Sequence, residues 1–292
     1  MRLNPLRRLG LRVVRERDHH VIPRGWYAPV PDEGELRPEV WRRRSELAGI
    51  ELDLDAQVAF LRDELAPLVA EWTPRRSGEW GDGRFYLDNG MYESGDAELL
   101  YGMVRRFRPA RMIELGSGFT TLAAAEACER NAADGADCRY EVYEPYPRSL
   151  VADGARWPTA TVEQRAQDVP LERFVELGAG DLLIVDTTHV VKMGGDVNRV
   201  ILDVLPRLAP GVLVHFHDIW LPWEYHPGLV AELGFWNEQY LLQAYLAENP
   251  RWRVVLAAQA LARERREDFE TAVPSFAGSG AQPTSFWIER RA

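Results

Sequence analysis

Histidine is the one side chain whose unperturbed charge changes between pH 5 and 8, and it is also the commonest metal ligand. Four of the six histidines in this chain, His189, His215, His217 and His226, fall between residues 189 and 226. They are interleaved with acids: DTTH carries Asp186 and His189, and HFHD carries His215, His217 and Asp218. Carboxylates and imidazoles brought together can hold a divalent cation, or an imidazole can act alone as a general base. A structural reading stands beside these, with His215 and His217 as hydrogen-bonded strand residues and Asp218 in a turn. A second constellation lies upstream in MIELGSGFTT, where Gly116 and Gly118 flank Ser117 and an acid, Glu114, precedes them. Glycines there let the backbone turn tightly and approach a ligand.

From Arg111 onward, short apolar runs alternate with helical patterns, the signature of a mainly parallel sheet. Strands are predicted at 112–115, 140–143, 160–164, 181–186, 212–217, 253–257 and 285–289. Helices are predicted near 119–131, 147–156, 170–177, 196–208 and 230–248. No convincing helix separates the last two strands: Ala258 to Pro283 holds the charged string ARERREDFE and then a glycine- and serine-rich loop, so an antiparallel final pair is expected. Asp186 ends the fourth strand, and His217 with Asp218 tips the fifth. Upstream, residues 1–83 read as an accessory helical extension and 84–292 as the catalytic domain, with an insertion at about 219–236. Leu54, Val58, Leu61, Leu65 and Leu68 predict an amphipathic helix over 53–72, bent at Pro67. Asp96 is read as the N-cap of a helix that Pro109 terminates.

In open α/β sheets ligands sit beyond the carboxyl ends of the strands. The Gly116–Gly118 turn lies there, and the next strand ends in Glu144, placed to accept hydrogen bonds from a ribose. A dinucleotide fingerprint needs a third small residue where this chain has Thr121. Glu114 instead favours a cofactor with an ammonium group and no phosphate, as S-adenosylmethionine has. The pattern E-x-G-x-G followed by a second acid resembles the class I methyltransferases. EPYP, DVNRVILDVLPRLAPGVLVHFHDIWLPWEY and FWNEQYLLQAYL are similar to a bacterial group of small-molecule methyltransferases, over about residues 84–257. The resemblance implies a Rossmann-like seven-stranded sheet of order 3-2-1-4-5-7-6 with strand 7 antiparallel. It also implies S-adenosylmethionine as cofactor, with Glu114 on the methionine portion, Gly116, Ser117 and Gly118 under the cofactor, Glu144 on the ribose, and Gln167 and Asp168 beside the adenine.

In that topology strands 4 and 5 are neighbours, so Asp186, His217 and Asp218 converge near the transferred methyl group. Catechol-type O-methyltransferases hold magnesium at matching positions to orient a substrate hydroxyl. Here His217 supplies a nitrogen ligand, which suits iron, manganese, nickel or zinc better than magnesium, and His189 is a candidate fourth ligand. The rival is metal-free catalysis with His217 or His189 as base. The aromatic string after strand 5, with Trp220, Trp223, Tyr225, Trp236 and Tyr240, is either a substrate wall or the packing of an insertion. Tyr92 and Asp96 are candidates to close the other side. Lys192, the lone lysine, reads as a solvated loop residue or a titratable group near the site.

Composition narrows the partners. Net charge is −10 with a pI near 5.2, which disfavours a nucleic-acid partner held by a broad basic field. Two cysteines, Cys128 and Cys138, make neither a disulfide framework nor a zinc site, so a cytoplasmic setting is expected. No apolar run is long enough for a transmembrane segment, and the arginine-rich residues 1–20 read as a surface helix or arm. The expected activity is methyl transfer to a small-molecule acceptor, most simply at oxygen, with a homo-oligomer left open. The alternative is a metalloenzyme on a methyltransferase scaffold doing oxidative or cyclising chemistry.

Overall fold

The computed structural model describes residues 30, 31, 33–147, 156–232 and 234–292. The helix predicted at 147–156 and the surface helix of residues 1–20 lie outside most or all of that set. Two compact units divide the chain, residues 1–43 and 44–292. In the first, the described part forms a 3-10 turn, Glu33–Glu35, and a short helix, Pro38–Arg42, with proline at its start, where no backbone N–H is needed.

The second unit is built on seven strands: β1 Arg111–Leu115, β2 Arg139–Tyr143, β3 Ala160–Val162, β4 Leu182–Val185, β5 Leu213–Phe216, β6 Trp252–Ala257 and β7 Phe286–Arg290. Their order is β3-β2-β1-β4-β5-β7-β6. The first five are parallel, and β7 runs antiparallel to both β5 and β6. The sheet expected from the resemblance is therefore the one observed.

Central parallel strands are buried on both faces, which is why their sequences are nearly unbroken apolar runs. In β4, Leu182 and Ile184 enter one core while Leu183 and Val185 enter the other. The first core is completed by helices Asp96–Phe107, Phe119–Ala133, Ala258–Glu264 and Arg266–Ala272. The second is completed by Leu171–Val175, the helical run 196–207 and Glu238–Leu246. Between β6 and β7, the helices Ala258–Glu264 and Arg266–Ala272 occupy a stretch read from the sequence as lacking a convincing helix. Ala258, Ala260, Leu261, Phe269 and Ala272 supply a buried stripe beneath its charged surface.

The helix predicted over 53–72 begins as expected, with the Asp53 side chain accepting from Ala56 N. It runs as Leu54–Phe60, passes through a π-helical segment Leu61–Leu65, and resumes as Ala66–Val69. The wider turn precedes Pro67, whose ring cannot take the ordinary i to i−4 bond. It also shifts the phase by one residue, so Val69 is buried where the spacing pointed to Leu68. No helix among the described residues is long and apolar enough to cross a membrane.

Asp181, just before β4, sets the relative height of the strands that carry the site. Its carboxylate accepts from Arg111 N at 2.8 Å and Gly178 N at 2.9 Å, and its carbonyl accepts from Leu213 N at 3.0 Å. Asp181→Ala strands two backbone donors at the edge of the core and is expected to destabilise the protein by about 3 kcal/mol in urea unfolding. Asp181→Asn, which keeps one acceptor, should recover part of that loss.

Candidate functional site

Because β4 and β5 are parallel neighbours ending at Val185 and Phe216, Asp186 and His217 leave the sheet side by side. His217 N donates to Val185 O at 3.0 Å. Beyond them, His189 and Asp218 both take left-handed backbone angles, φ 57° and 58°. Such angles cost a non-glycine residue roughly 1 kcal/mol or more and persist where surrounding contacts impose them. The contacts are present: His189 O accepts from Asn237 N and Glu238 N, and Asp218 Oδ1 accepts from Thr284 Oγ1 at 3.3 Å.

Four side chains then meet. His217 Nδ1 lies 3.6 Å from Asp186 Oδ1 and 3.4 Å from Asp218 Oδ2. His189 Nε2 lies 3.4 Å and 3.5 Å from the same two oxygens. Asp186, His217 and Asp218 offer ligand atoms that all fall within 4.8 Å of one another. Burial acts against the charged forms of these groups, but their mutual attraction prevails. Asp186 is held far below the usual carboxylate range by His217 and His189 despite its burial. Burial would lower both imidazoles; Asp186 and Glu238 instead raise His189 to about 10, and Asp218 and Asp186 raise His217 well above its ordinary value. His215, one pleat deeper, is pushed down to about 3 by burial and by the charge on His217. It is a neutral strand histidine, with Nε2 3.0 Å from Ser285 Oγ.

Asp96 does not cap its helix, as the sequence had suggested. Gly95 occupies the cap position, its N–H bonded to Glu98 Oε2 at 2.9 Å. Asp96 is turned into the protein, accepting from Thr284 N and Ser285 N, and it lies 3.6 Å from His217 Nε2. The aromatic ring of Tyr92 stands edge-on to His217 at 4.8 Å. Both residues therefore belong to the walls of the cluster.

At the turn after β1, Gly116 takes φ 99°, and a Cβ there would sit 1.9 Å from the Asp186 carbonyl oxygen. The turn after β1 thus touches the backbone of the cluster. A Cβ on Gly118 would meet nothing within 4 Å, so that side of the turn is free to carry a ligand. Glu114 is wholly buried beneath the turn, where its oxygens accept from the hydroxyls of Thr120, Thr121 and Tyr140. Ser117 Oγ lies 3.3 Å from Thr121 Oγ1. Glu144 stands half-buried at the end of β2 with Oε1 accepting from Tyr146 N. Gln167 and Asp168 lie in the 3-10 turn Ala166–Asp168, and Asp168 pairs with Arg165 at 2.7 Å.

The aromatic stretch after β5 divides between packing and display. Trp220 and Tyr225 are buried, with Tyr225 Oη accepting from Gln239 N at 2.9 Å. Trp236 remains partly exposed, its ring 4.5 Å from that of His189. Lys192 is exposed on its loop. Glu238, absent from the residues singled out by sequence, is wholly buried with Oε2 2.9 Å from His189 Nδ1. Its sequence signal is weak, one acid between the polar Asn237 and Gln239 in FWNEQYLL. A separate cleft of about 880 Å³ opens beside β6, lined by Phe60, Arg106, Phe107, Trp252 and Arg253 among others. None of the clustered residues lines it.

A family model described as a methyltransferase domain matches residues 113–219, the segment from β1 to just past β5. That segment therefore matches a methyltransferase domain, and it is set in the sheet order that the resemblance to class I methyltransferases implied. An uncharacterised protein of Archaeoglobus fulgidus is 28% identical over 169 residues, covering 54% of this chain and 74% of that protein. A methyltransferase of Geobacter sulfurreducens is similar in structure at 15% identity and a TM-score of 0.40, over 69% of this chain and 81% of its own. The apo form of CmcI-N160 aligns at 16% identity and a TM-score of 0.44, over 76% and 82% of the two chains.

Burial of Glu114 raises its carboxyl to about 7 from an ordinary 4.5, against the pull of three hydroxyl donors. A raised folded-state value means that its contribution is complete below pH 4.5 and is lost as pH rises through 7. Stability should fall by roughly 3 kcal/mol across that window from this group. Urea unfolding of Glu114→Gln is expected to show a correspondingly flatter pH dependence than the parent protein. Gly116→Ala should abolish folding or detach the turn from Asp186, read as loss of S-adenosylhomocysteine binding in calorimetry.

Proposed function

We propose that the protein transfers the methyl group of S-adenosylmethionine to an oxygen of a small-molecule acceptor, with a divalent metal at Asp186, His217 and Asp218. The observation that carries this reading is the convergence of those three ligand atoms within 4.8 Å beside the Gly116–Gly118 turn. Residues 84–292 form the catalytic domain in this reading, and 219–236 an insertion that walls the acceptor.

The residues present fit both groups. The open side of Gly118 leaves room for a cofactor to lie against the backbone, and two carboxylates with one imidazole form a donor set suited to iron or manganese and acceptable to magnesium. When bound, the cofactor supplies a methyl group on a positively charged sulfur, and the metal supplies Lewis acidity toward an acceptor hydroxyl. Glu144 would accept from the ribose hydroxyls, Gln167 and Asp168 would lie along the adenine, and Glu114 would hold the turn in shape from below. Trp236, partly exposed, offers a flat apolar face next to His189, suited to an aromatic or sugar-like acceptor. Methyl transfer is an in-line displacement, so the main task of these residues is orientation, with one proton to remove.

A metal-free base is less well supported by the geometry. His189 has carboxylates at both ring nitrogens, Glu238 on one side and Asp186 with Asp218 on the other, so neither nitrogen is free to accept a proton from an acceptor. His217 is flanked in the same way by Asp96, Asp186 and Asp218.

Calorimetric titration of S-adenosylhomocysteine into metal-stripped protein, repeated with iron(II), manganese or magnesium, tests the reading. Micromolar binding without metal is expected. Metal binding with no cofactor binding under any condition would transfer the assignment to a metalloenzyme on a methyltransferase scaffold. Asp186→Ala and His217→Ala should each abolish turnover while S-adenosylhomocysteine affinity stays within a few fold. Loss of cofactor binding in both, with the fold intact, would remove these residues from the chemistry.

A further inference from the structure

Glu238 has no fold-level use for its charge. It is wholly buried, its Oε1 has no hydrogen-bond partner, and its Oε2 is committed to His189 Nδ1 at 2.9 Å. A carboxylate on Nδ1 keeps the proton on that nitrogen and turns the lone pair of the neutral imidazole to Nε2, the arrangement that metal-binding histidines show. Here Nε2 is directed at Asp186 Oδ1 and Asp218 Oδ2, the same two oxygens that face His217 Nδ1. Asp96, 3.6 Å from the opposite nitrogen of His217, repeats the pattern on the second ring. Two imidazoles, each backed by its own buried carboxylate, therefore face one pair of acids.

We propose that His189 is a fourth metal ligand, that Glu238 is the positioning residue that orients it, and that the resulting two-histidine, two-carboxylate set selects a divalent transition ion over magnesium. The inference rests on the metal-assisted reading given above. The four nitrogen–oxygen separations are 3.4, 3.5, 3.6 and 3.4 Å. His189 Nε2 adds a second imidazole nitrogen beside the two acids of the Asp186, His217 and Asp218 set. Two imidazole nitrogens shift preference toward the transition ions, because magnesium favours oxygen and keeps its waters.

The test uses full-length metal-stripped protein, titrated separately with zinc, magnesium and cobalt(II) as an optical probe. Zinc is expected to bind at least about 100-fold more tightly than magnesium, and cobalt(II) to give the intense visible band of a four-coordinate site. His189→Ala should abolish that band. Glu238→Gln, close in shape and able to accept one hydrogen bond, should weaken zinc binding by about 10- to 100-fold with no more than a few-fold change in S-adenosylhomocysteine affinity. Retained cofactor binding together with an unchanged thermal midpoint separates this effect from misfolding. If Asp186→Ala removes metal binding while His189→Ala and Glu238→Gln leave affinity and spectrum unaltered, the fourth-ligand inference falls and the three-ligand reading stands. Magnesium binding as tight as zinc would overturn the selectivity. Failure of the parent protein to bind any of the ions would overturn the metal-assisted function as well.

Discussion

Two carboxylates facing each other at the ends of adjacent strands demand positive charge between them, and the Asp186–Asp218 pair imposes that demand on its surroundings. Burial would drive an isolated acid toward its neutral form. Asp186 is instead held ionised by the histidines that approach it. The positive charge comes from two directions, His217 from β5 and His189 from the loop after β4. Each of those rings is in turn held by a further buried acid, Asp96 or Glu238. The outcome is an alternating network in which removing one charged member leaves another uncompensated, a far larger penalty than loss of an exposed ion pair.

The sheet makes that network possible by fixing heights. Asp181 ties the beginnings of β1, β4 and β5 together, and at the opposite end Gly116 N donates to Tyr143 O while Asp186 N donates to Leu115 O. The glycine turn can then pass against the Asp186 carbonyl at a distance no side chain would allow. Glu114 braces the turn from below through three hydroxyls, linking β1, β2 and the helix that follows. The antiparallel β7 contributes its leading residues, Thr284 and Ser285, whose N–H groups hold Asp96 in place under His217. The unusual direction of one strand is thus part of how the site is closed.

Most of the sheet was legible because buried parallel strands are short, nearly continuous apolar runs that few other structures require. The strand tips were legible for the same reason: once the runs are found, Asp186, His217 and Asp218 lie at their ends. The helices between β6 and β7 were obscured by ARERREDFE, whose charges dominate the exposed side while the alanines, Leu261 and Phe269 that face inward are widely spaced. The phase slip that buries Val69 was not legible, since a π turn leaves no residue signature beyond the nearby proline. Asp96 misled because an acid before a helical pattern looks like a cap, and only the position of Gly95 shows that the helix begins one residue sooner.

By itself the sequence determined the sheet, the glycine turn and the identity of the acids and histidines at the strand ends, because these follow from hydrophobic period and from the few residue types that suit a tight turn or a charged tip. Tertiary structure alone decided which groups meet. Glu238 is far from His189 along the chain, and Asp96 is far from His217; no local spacing relates either pair. Their encounter depends on how the segment after β5 folds back over β4 and how β7 inserts between β5 and β6, long-range placements that carry no local period. Glu238 was therefore visible only when the chain was folded, and Asp96, named from the sequence as a candidate wall of the site, found its partner histidine only there.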